Sequence, residues 1–335
     1  MVSMKDIARE CGVSVATVSK ALGGHSDIGE GTRDRIRAKA KEMGYMANSA
    51  ARALKTKRTY NIGVLFVDKR SSGLAHEYFS AVLDSLRVEA ERRGYDITFI
   101  SGNVGRRHAS YLQHSQYRGV DGVVIACVDF LDPMVQELVH SSLPVVTIDH
   151  VFNNRVAVVS DNVSGAAALV AHAVERGHRN IGFIHGERTA VTENRLVGFF
   201  RACEEAGLRI PDCNVIQGAY HDPDNCYRQT KKLLALPDRP TCVLFPDDFS
   251  FMGGLNAIRE AGLSIPRDIS AMGYDGIGLS QVITPRLTTY RQNTEELGRT
   301  AAARLVEMIE RPRTALLDRV IVPGRLIVGD SVARI

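Results

Sequence analysis

The sequence predicts a small all-α head followed by a two-lobed α/β core, and three observations carry that expectation. Residues 1–46 hold three short helical patterns separated by glycine or serine stops, with no strand pattern among them. From Tyr60 onward, apolar β-branched runs alternate with amphipathic helical stretches, the signature of parallel strands joined by helical crossovers. Lys plus Arg outnumber Asp plus Glu by 12 to 6 across residues 1–58, whereas the 335-residue chain as a whole carries only +4. A basic head on a mildly acidic body points to a polyanionic partner for the head.

In the head, Ser3 and Asp6 have N-cap and N3 character for a helix over Met4–Glu10. Gly12 supplies a tight turn, and Ser14 is a second N-cap with a helix over Val15–Leu22 behind it. Ile7, Ala8, Val13, Val18 and Leu22 are apolar at spacings that close a small core between two crossed helices, which is helix-turn-helix patterning. Val15, Ala16, Thr17, Ser19 and Lys20 are left outside. They are mostly small, so such a helix can sink into a major groove, where hydroxyls reach phosphate or base edges and Lys20 can donate to guanine O6 or N7. The competing reading is a two-helix hairpin with a solvated face. A third helix is expected over Thr32–Met43, stopped by Gly44, and the following SAARALKT is too short to be helical alone and should order on a partner.

At this point a resemblance becomes specific. MKDIARECGVSVATVSKALGG, TRDRIRAKAKEMGY and NSAARAL resemble the head of the LacI/GalR family of bacterial transcription repressors. The resemblance implies double-stranded operator DNA as partner and a DNA-binding set of Lys5, Ser14, Val15, Ala16, Thr17, Ser19, Lys20, Thr32, Tyr45, Asn48, Ala51, Leu54 and Lys55. In that family the hinge helices of two subunits pair in the minor groove and a leucine wedges open the central base step; Leu54 matches the wedge and Ala51 the small residue at the close approach. Ala47 stands where the family commonly has proline, which frees φ and puts a sharp hinge start in doubt. Val15 and Ala16 match recognition positions that vary among members, and Lys20 a third.

In the core, the expected strands are NIGVLFV, DITFIS, GVVIAC and VVTID, then AVVS, NIGFIHG, NVIQG, CVLFP and ISAMGY. Helices Glu77–Arg93, Val163–Arg176, Arg195–Ala206 and Phe249–Ala261 are each followed by a glycine stop. Two such sets, split near Ser160, imply two similar lobes facing across a cleft. LTTYRQ, a helix over Thr294–Glu310 and RVIVPGRLIV read as returns of the chain across both lobes. HRNIGFIHG, RLVGF, PDDFSFMGGLNAI, IPRDISAMGYDG and PRLTTYRQNTEELGRTA resemble the effector-binding core of the same family, itself similar to periplasmic sugar-binding proteins. The expected fold class is therefore an N-terminal all-α helix-turn-helix head plus an α/β two-lobed periplasmic-binding-protein-like (type I) core. Its expected divisions are a head over 1–46, a hinge over 47–59 and a core over 60–335, with lobe one about 60–160 and 292–320 and lobe two about 161–291 and 321–335.

Ligands bind at the carboxyl ends of parallel strands. Asp149 ends VVTID, Asp247 and Asp248 follow CVLFP, Asp275 ends ISAMGY, and Arg195 opens its expected helix. Carboxylates and a guanidinium fork each exchange two hydrogen bonds, which is what vicinal hydroxyls need. The family's matching Arg grips sugar hydroxyls or polar edges of a purine, and Tyr78, Phe79 and Tyr220 match aromatic positions that stack on or wall the ligand. The implied effector set is Tyr78, Phe79, Asp149, Arg195, Tyr220, Asp247 and Asp275, with a carbohydrate the favoured effector. Each has a plainer alternative, such as a turn cap for Asp275, a loop hold for Asp149 or a core place for Phe79. Asp247 stands where the family often has Asn, and Gly329 where an Arg is common, which puts a lobe-closing contact in doubt.

Catalytic readings find little support. G-x-S-x-G, a Walker loop and H-E-x-x-H are all missing, and GYDGIGLSQ is only a fragment of G-x-G-x-x-G. The six cysteines lack C-x-x-C pairing and read as reduced packing residues; His178 and His185 read as surface histidines, and no cofactor or metal is expected. No apolar segment approaches the roughly 18 residues of a membrane span, so no membrane partner and a cytoplasmic, nucleoid-associated place are expected. The tail to Ile335 lacks an apolar heptad, which favours a homodimer over a tetramer. Two functions remain: a ligand-responsive regulator of a palindromic operator, and a small-molecule binding protein without regulatory DNA binding.

Overall fold

The computed structural model describes residues 2–25, 27–46, 58–68 and 73–335, and the chain divides into one unit ending at Thr59 and another beginning at Tyr60. In the first unit, α1 (Met4–Cys11) opens with a capping box: Asp6 N–H donates to Ser3 Oγ at 3.4 Å and Ser3 N–H to Asp6 Oδ2 at 2.9 Å. Gly12, with φ 62°, turns the chain, and Ser14 caps α2 (Val15–Leu22) by accepting from Thr17 N–H at 3.0 Å. The third helix, α3 (Glu30–Glu42), starts two residues before the expected Thr32. The Gly29 carbonyl already accepts from the Thr32 and Arg33 amides, and Glu30 places a carboxylate at the positive end. Ile7, Ala8, Cys11, Val18, Ala21, Ile36 and Ala40 form the buried centre, with Val13, Leu22, Met43 and Tyr45 packed around it. Ala21 thus takes the innermost place expected of Leu22.

In the second unit the first lobe runs β1 (Asn61–Phe66), α4 (Glu77–Arg92), β2 (Asp96–Ile100), a small hairpin of β3 (Asn103–Val104) and β4 (Arg107–His108), α5 (Tyr111–Arg118), β5 (Gly122–Ala126), α6 (Pro133–Val139), β6 (Val145–Ile148) and β7 (Val156–Ser160). The second lobe runs α7 (Asn162–Glu175), β8 (Ile181–His185), α8 (Ala190–Glu205), β9 (Val215–Gln217), α9 (Pro223–Leu234), β10 (Cys242–Leu244), α10 (Phe251–Glu260), β11 (Ser270–Asp275), α11 (Gly278–Val282) and β12 (Thr288–Arg291). The chain then returns to the first lobe through α12 (Thr294–Glu310) and β13 (Arg319–Val322), and finishes in the second with β14 (Arg325–Ile327).

Each lobe has a six-stranded sheet, ordered β13-β7-β6-β5-β1-β2 and β14-β12-β11-β10-β8-β9. All pairings in them are parallel except that of β12 with β14. A parallel strand covered on both faces reads as an unbroken apolar run, and β5, GVVIA, is buried at all five positions. On one face of the first sheet, Val82, Leu86 and Ala90 of α4 pack with Leu297, Ala301 and Leu305 of α12. The lobes are joined after Ser160, near Gln292 and after Val322, three connections that a hinge can use.

Three expectations need correction, and three helices go beyond those named from the sequence. Helices α5, α6 and α9 add to those named from the sequence: α5 and α6 are only 8 and 7 residues long, and in α9 the apolar face is little more than Cys226, Leu233 and Leu234. The helix expected to open at Arg195 begins at Ala190, where the Thr189 side chain caps it, so Arg195 sits in its second turn. The lobe-one return runs to Val322 rather than about 320, because β13 stays paired with β7 through Ser160. His178 is buried, not superficial; its Nδ1 lies 2.9 Å from Thr241 Oγ1, and burial lowers its pKa.

Candidate effector cleft and DNA-facing helix

Strand ends build the cleft. Asp149 follows β6, Asp275 ends β11, Asp247 lies three residues past β10 and Gln292 follows β12. Tyr78, Phe79, Asp149, Arg195, Tyr220, Asp247 and Asp275 all line one cavity of about 560 Å³, within the usual range for small-molecule sites. In the sequence these are residue types at separate strand ends; in the fold they share one space. Four lining residues without a glycine's freedom have left-handed backbone: Cys127 (φ 51°), Asp149 (φ 60°), His221 (φ 52°) and Asp275 (φ 97°). Such conformations cost about 1 to 3 kcal/mol each and persist where surrounding structure imposes them, commonly at binding sites.

Arg195 is the fixed point. Its Nε donates to Asn162 Oδ1 at 2.9 Å, its Nη1 to the Pro246 carbonyl at 2.8 Å, and its Cζ lies 3.5 Å from the Tyr274 ring centroid. The fork is therefore held by α7 and the β10 loop, and Nη2 faces Asp275 Oδ1 at 3.8 Å, too far for a hydrogen bond but close enough for strong Coulomb attraction. Asp275 Oδ1 accepts from Gln292 Nε2 at 2.7 Å. Burial is the first cause that pushes its pKa up to about 7, opposed by Arg195 and reinforced by Asp247 and Asp149. Asp149 accepts from Ser160 N–H at 3.0 Å and from the Tyr78 hydroxyl at 3.1 Å, and burial raises its pKa too. A buried guanidinium between carboxylates whose ionisation is incompletely compensated is a surface made for hydroxyl or amine donors.

The aromatic walls have separate origins. Tyr78 and Phe79 stand in the first turn of α4, edge-on to each other with ring centroids 4.9 Å apart. Tyr220 is held on the other side by the Thr192 hydroxyl at 2.8 Å from its own and by Glu187 Oε2, which accepts its amide proton. Phe79 also packs on the first-lobe core, so it belongs both to that core and to the cavity wall.

Asp247 differs from its expectation. Its Oδ1 accepts from Ser250 N–H, and its Oδ2 from Ser250 Oγ and His221 N–H. Three of about four acceptor directions are thus committed to the loop, and the carboxylate holds His221 in place more than it offers itself to a ligand. Asp248 points elsewhere, accepting from Thr289 Oγ1 and the Ile277 amide. At Gly329 a Cβ would collide with the Arg286 carbonyl, so this backbone has no room for the arginine that the family commonly places there. Residues that sequence reading missed include His76, His221, Gln292 and Phe130, all on the cavity wall. His221 had a signal, standing beside Tyr220; Gln292 and Phe130 had none short of the fold.

In the head, Lys5, Ser14, Val15, Ala16 and Lys20 are exposed, while Thr17, Ser19, Thr32 and Tyr45 are half-buried. Ser14 and Thr17 hydroxyls bond each other at 2.9 Å, and Lys20 Nζ pairs with Asp27 at 2.5 Å. Tyr45 packs on the head's core. Asn48, Ala51, Leu54 and Lys55, with Ala47, lie outside the described residues. No helix among the described residues is long and apolar enough to cross a membrane.

Comparison with known proteins agrees with this geometry. Residues 3–48 match the model for bacterial regulatory proteins of the lacI family, and residues 170–332 match that of a periplasmic binding protein-like domain. The chain is 33% identical over 343 aligned residues, 99% of its length and 97% of theirs, to the HTH-type transcriptional repressors PurR of Shigella sonnei and Escherichia coli. Among solved structures it is similar to a transcriptional regulator CelR–cellobiose complex, at TM-score 0.72 and 25% identity, covering 99% of this chain and all of that one. The lac repressor dimer bound to operator and the anti-inducer ONPF shares its fold at TM-score 0.80, with 23% identity over 99% of each chain. With matching models at both ends and a full-length relative at this identity, the chain belongs to the lacI family of bacterial regulatory proteins.

Proposed function

We infer that the chain is a ligand-responsive, DNA-binding transcriptional repressor, that it holds a palindromic operator as a homodimer, and that a carbohydrate in the cleft controls its hold. The observation that carries the effector reading is the convergence of Arg195, Asp149, Asp275 and Gln292 at one end of the cavity, with Arg195 and Gln292 buried there. Fixed donors and acceptors at that end suit vicinal hydroxyls, and Tyr78, Phe79 and Tyr220 suit the apolar faces of a sugar ring. At the other end of the chain, the exposed small residues of α2 suit entry into a major groove. A two-fold dimer reads a palindrome because each half-site repeats the other. The site of action is the cytoplasm, on the nucleoid. Effector binding shifts DNA affinity through its preference for one lobe arrangement, a coupling of about 1 to 3 kcal/mol in typical systems.

The test is retention of genomic DNA fragments by the purified protein at physiological salt, sequenced with and without a sugar mixture. Enrichment of one palindrome, altered by one sugar, supports the reading. Retention that is independent of sequence and merely salt-sensitive would move the chain to the small-molecule binding class.

A further inference from the structure

One turn of chain carries both the ligand walls and the contacts between lobes. His76, immediately before α4, is 9% exposed, and its ring stacks on that of His221 from the second lobe with centroids 4.0 Å apart and planes 14° from parallel. His221 stacks in turn on Phe249 at 4.2 Å. The next residue, Glu77, accepts the Gly278 amide proton of α11 on Oε1 at 2.5 Å. Tyr78 places its hydroxyl between Asp149 Oδ2 at 3.1 Å and Gln292 Oε1 at 3.4 Å. Phe79 meets His76 edge-on at 5.0 Å. Within four residues, His76 and Glu77 hold the opposite lobe while Tyr78 and Phe79 face the cavity.

The His76 ring is placed to sense that cavity. It lines the wall, and its buried Nδ1 has no hydrogen-bond partner. The groups facing it are His221, Asp247 and Asp68, with Phe79 and Tyr78 at its edges. Burial first, then His221, lowers its pKa to about 4 against the pull of the two aspartates, so the His76 ring is neutral at pH 7.

We propose that His76 is the positioning residue that couples occupancy of the cleft to lobe closure, by stacking on His221 and so locking the second lobe against the turn that carries Tyr78 and Phe79. The proposal rests on the reading of the cleft as the effector site. A ligand that seats against Tyr78 and Phe79 thereby steadies the stack, and a displaced stack loosens both walls at once.

The test is amide hydrogen exchange on the full chain without ligand, read at Gly278, Asp222 and His221. The Gly278 amide bonds Glu77 across the cleft, while those of Asp222 and His221 bond Ser250 and Asp247 within the second lobe. In His76→Ala these amides should exchange at least about tenfold faster than in the parent, although the mutated residue is in the other lobe. His76→Phe keeps an aromatic ring on His221 and should restore slow exchange, which a general loss of stability would not allow. Unchanged exchange at all three amides in His76→Ala would overturn the proposal, as would His76→Phe exchanging as fast as His76→Ala. The outcome is independent of DNA: a parent chain that selects no operator would overturn the regulator reading and leave the exchange result to decide the stack.

Discussion

Asp275 is a residue whose chemistry the cleft moves away from its ordinary state. Burial raises its pKa to about 7, so its protonation responds to pH near neutrality. A ligand that donates hydrogen bonds to it favours the carboxylate, so binding of such a ligand should release a proton and tighten as pH rises from about 6 to about 8. Calorimetry in buffers of different ionisation enthalpy reads that release; an affinity flat across the range would contradict it. Stability runs the other way. A folded-state pKa above the unfolded one contributes stability in acid that is lost as pH rises through 7, so the empty protein should melt lower at pH 8 than at pH 6 as far as this group decides. Arg195 allows a complementary test. Arg195→Lys removes the fork that grips Asn162 and Pro246, and effector affinity should fall at least about tenfold while ligand-free operator affinity stays within about twofold. Equal loss of both would place Arg195 in the fold rather than the site.

At the scale of elements, the caps were the most legible feature of the sequence, because a cap is decided by three or four neighbouring residues. Ser3, Asp6 and Ser14 do what their spacing implied, and α2 and α12 have the bounds read from sequence. What escaped was decided at longer range. The start of α8 depends on Thr189, which a reading centred on Arg195 passed over, and α5, α6 and α9 have apolar faces that acquire meaning only against a sheet. The role of Asp247 as a holder of the His221 loop follows from a meeting of two loops 26 residues apart. Replacing Ser3 with Ala should cost the head about 1 kcal/mol, seen as a lower melting transition of the head alone, with the core transition unmoved. Lys20 pairs with Asp27, so a base contact by Lys20 requires that pair to open. Lys20→Ala should weaken operator binding by about 1 to 3 kcal/mol and relax preference at one base pair per half-site. A uniform loss on every sequence would assign Lys20 to phosphate instead.

For the whole molecule, the order of elements was legible because hydrophobic period separates strands from helices, and the meeting of seven distant residues in one cavity was implied by the resemblance rather than by spacing. The two glycine and alanine departures had different fates: Gly329 has a steric reason in the Arg286 carbonyl, and Ala47 lies outside the described residues. The coupling of cleft to head remains the claim on which the function stands. Leu54, matching the minor-groove wedge, should separate the two ends of the chain: Leu54→Ala is expected to weaken operator binding and leave effector binding intact. An unchanged operator affinity would remove the wedge from the account.

The most direct measurement is fluorescence anisotropy of the selected operator with the full chain, titrated with the effector that emerges from the fragment-retention experiment, for the parent and for Arg195→Lys. The parent should change its operator affinity by about 5- to 150-fold at saturating effector, the span that a coupling of 1 to 3 kcal/mol allows, while the variant needs far more effector for the same change. Operator affinity that is blind to every small molecule bound in the cleft would contradict the account.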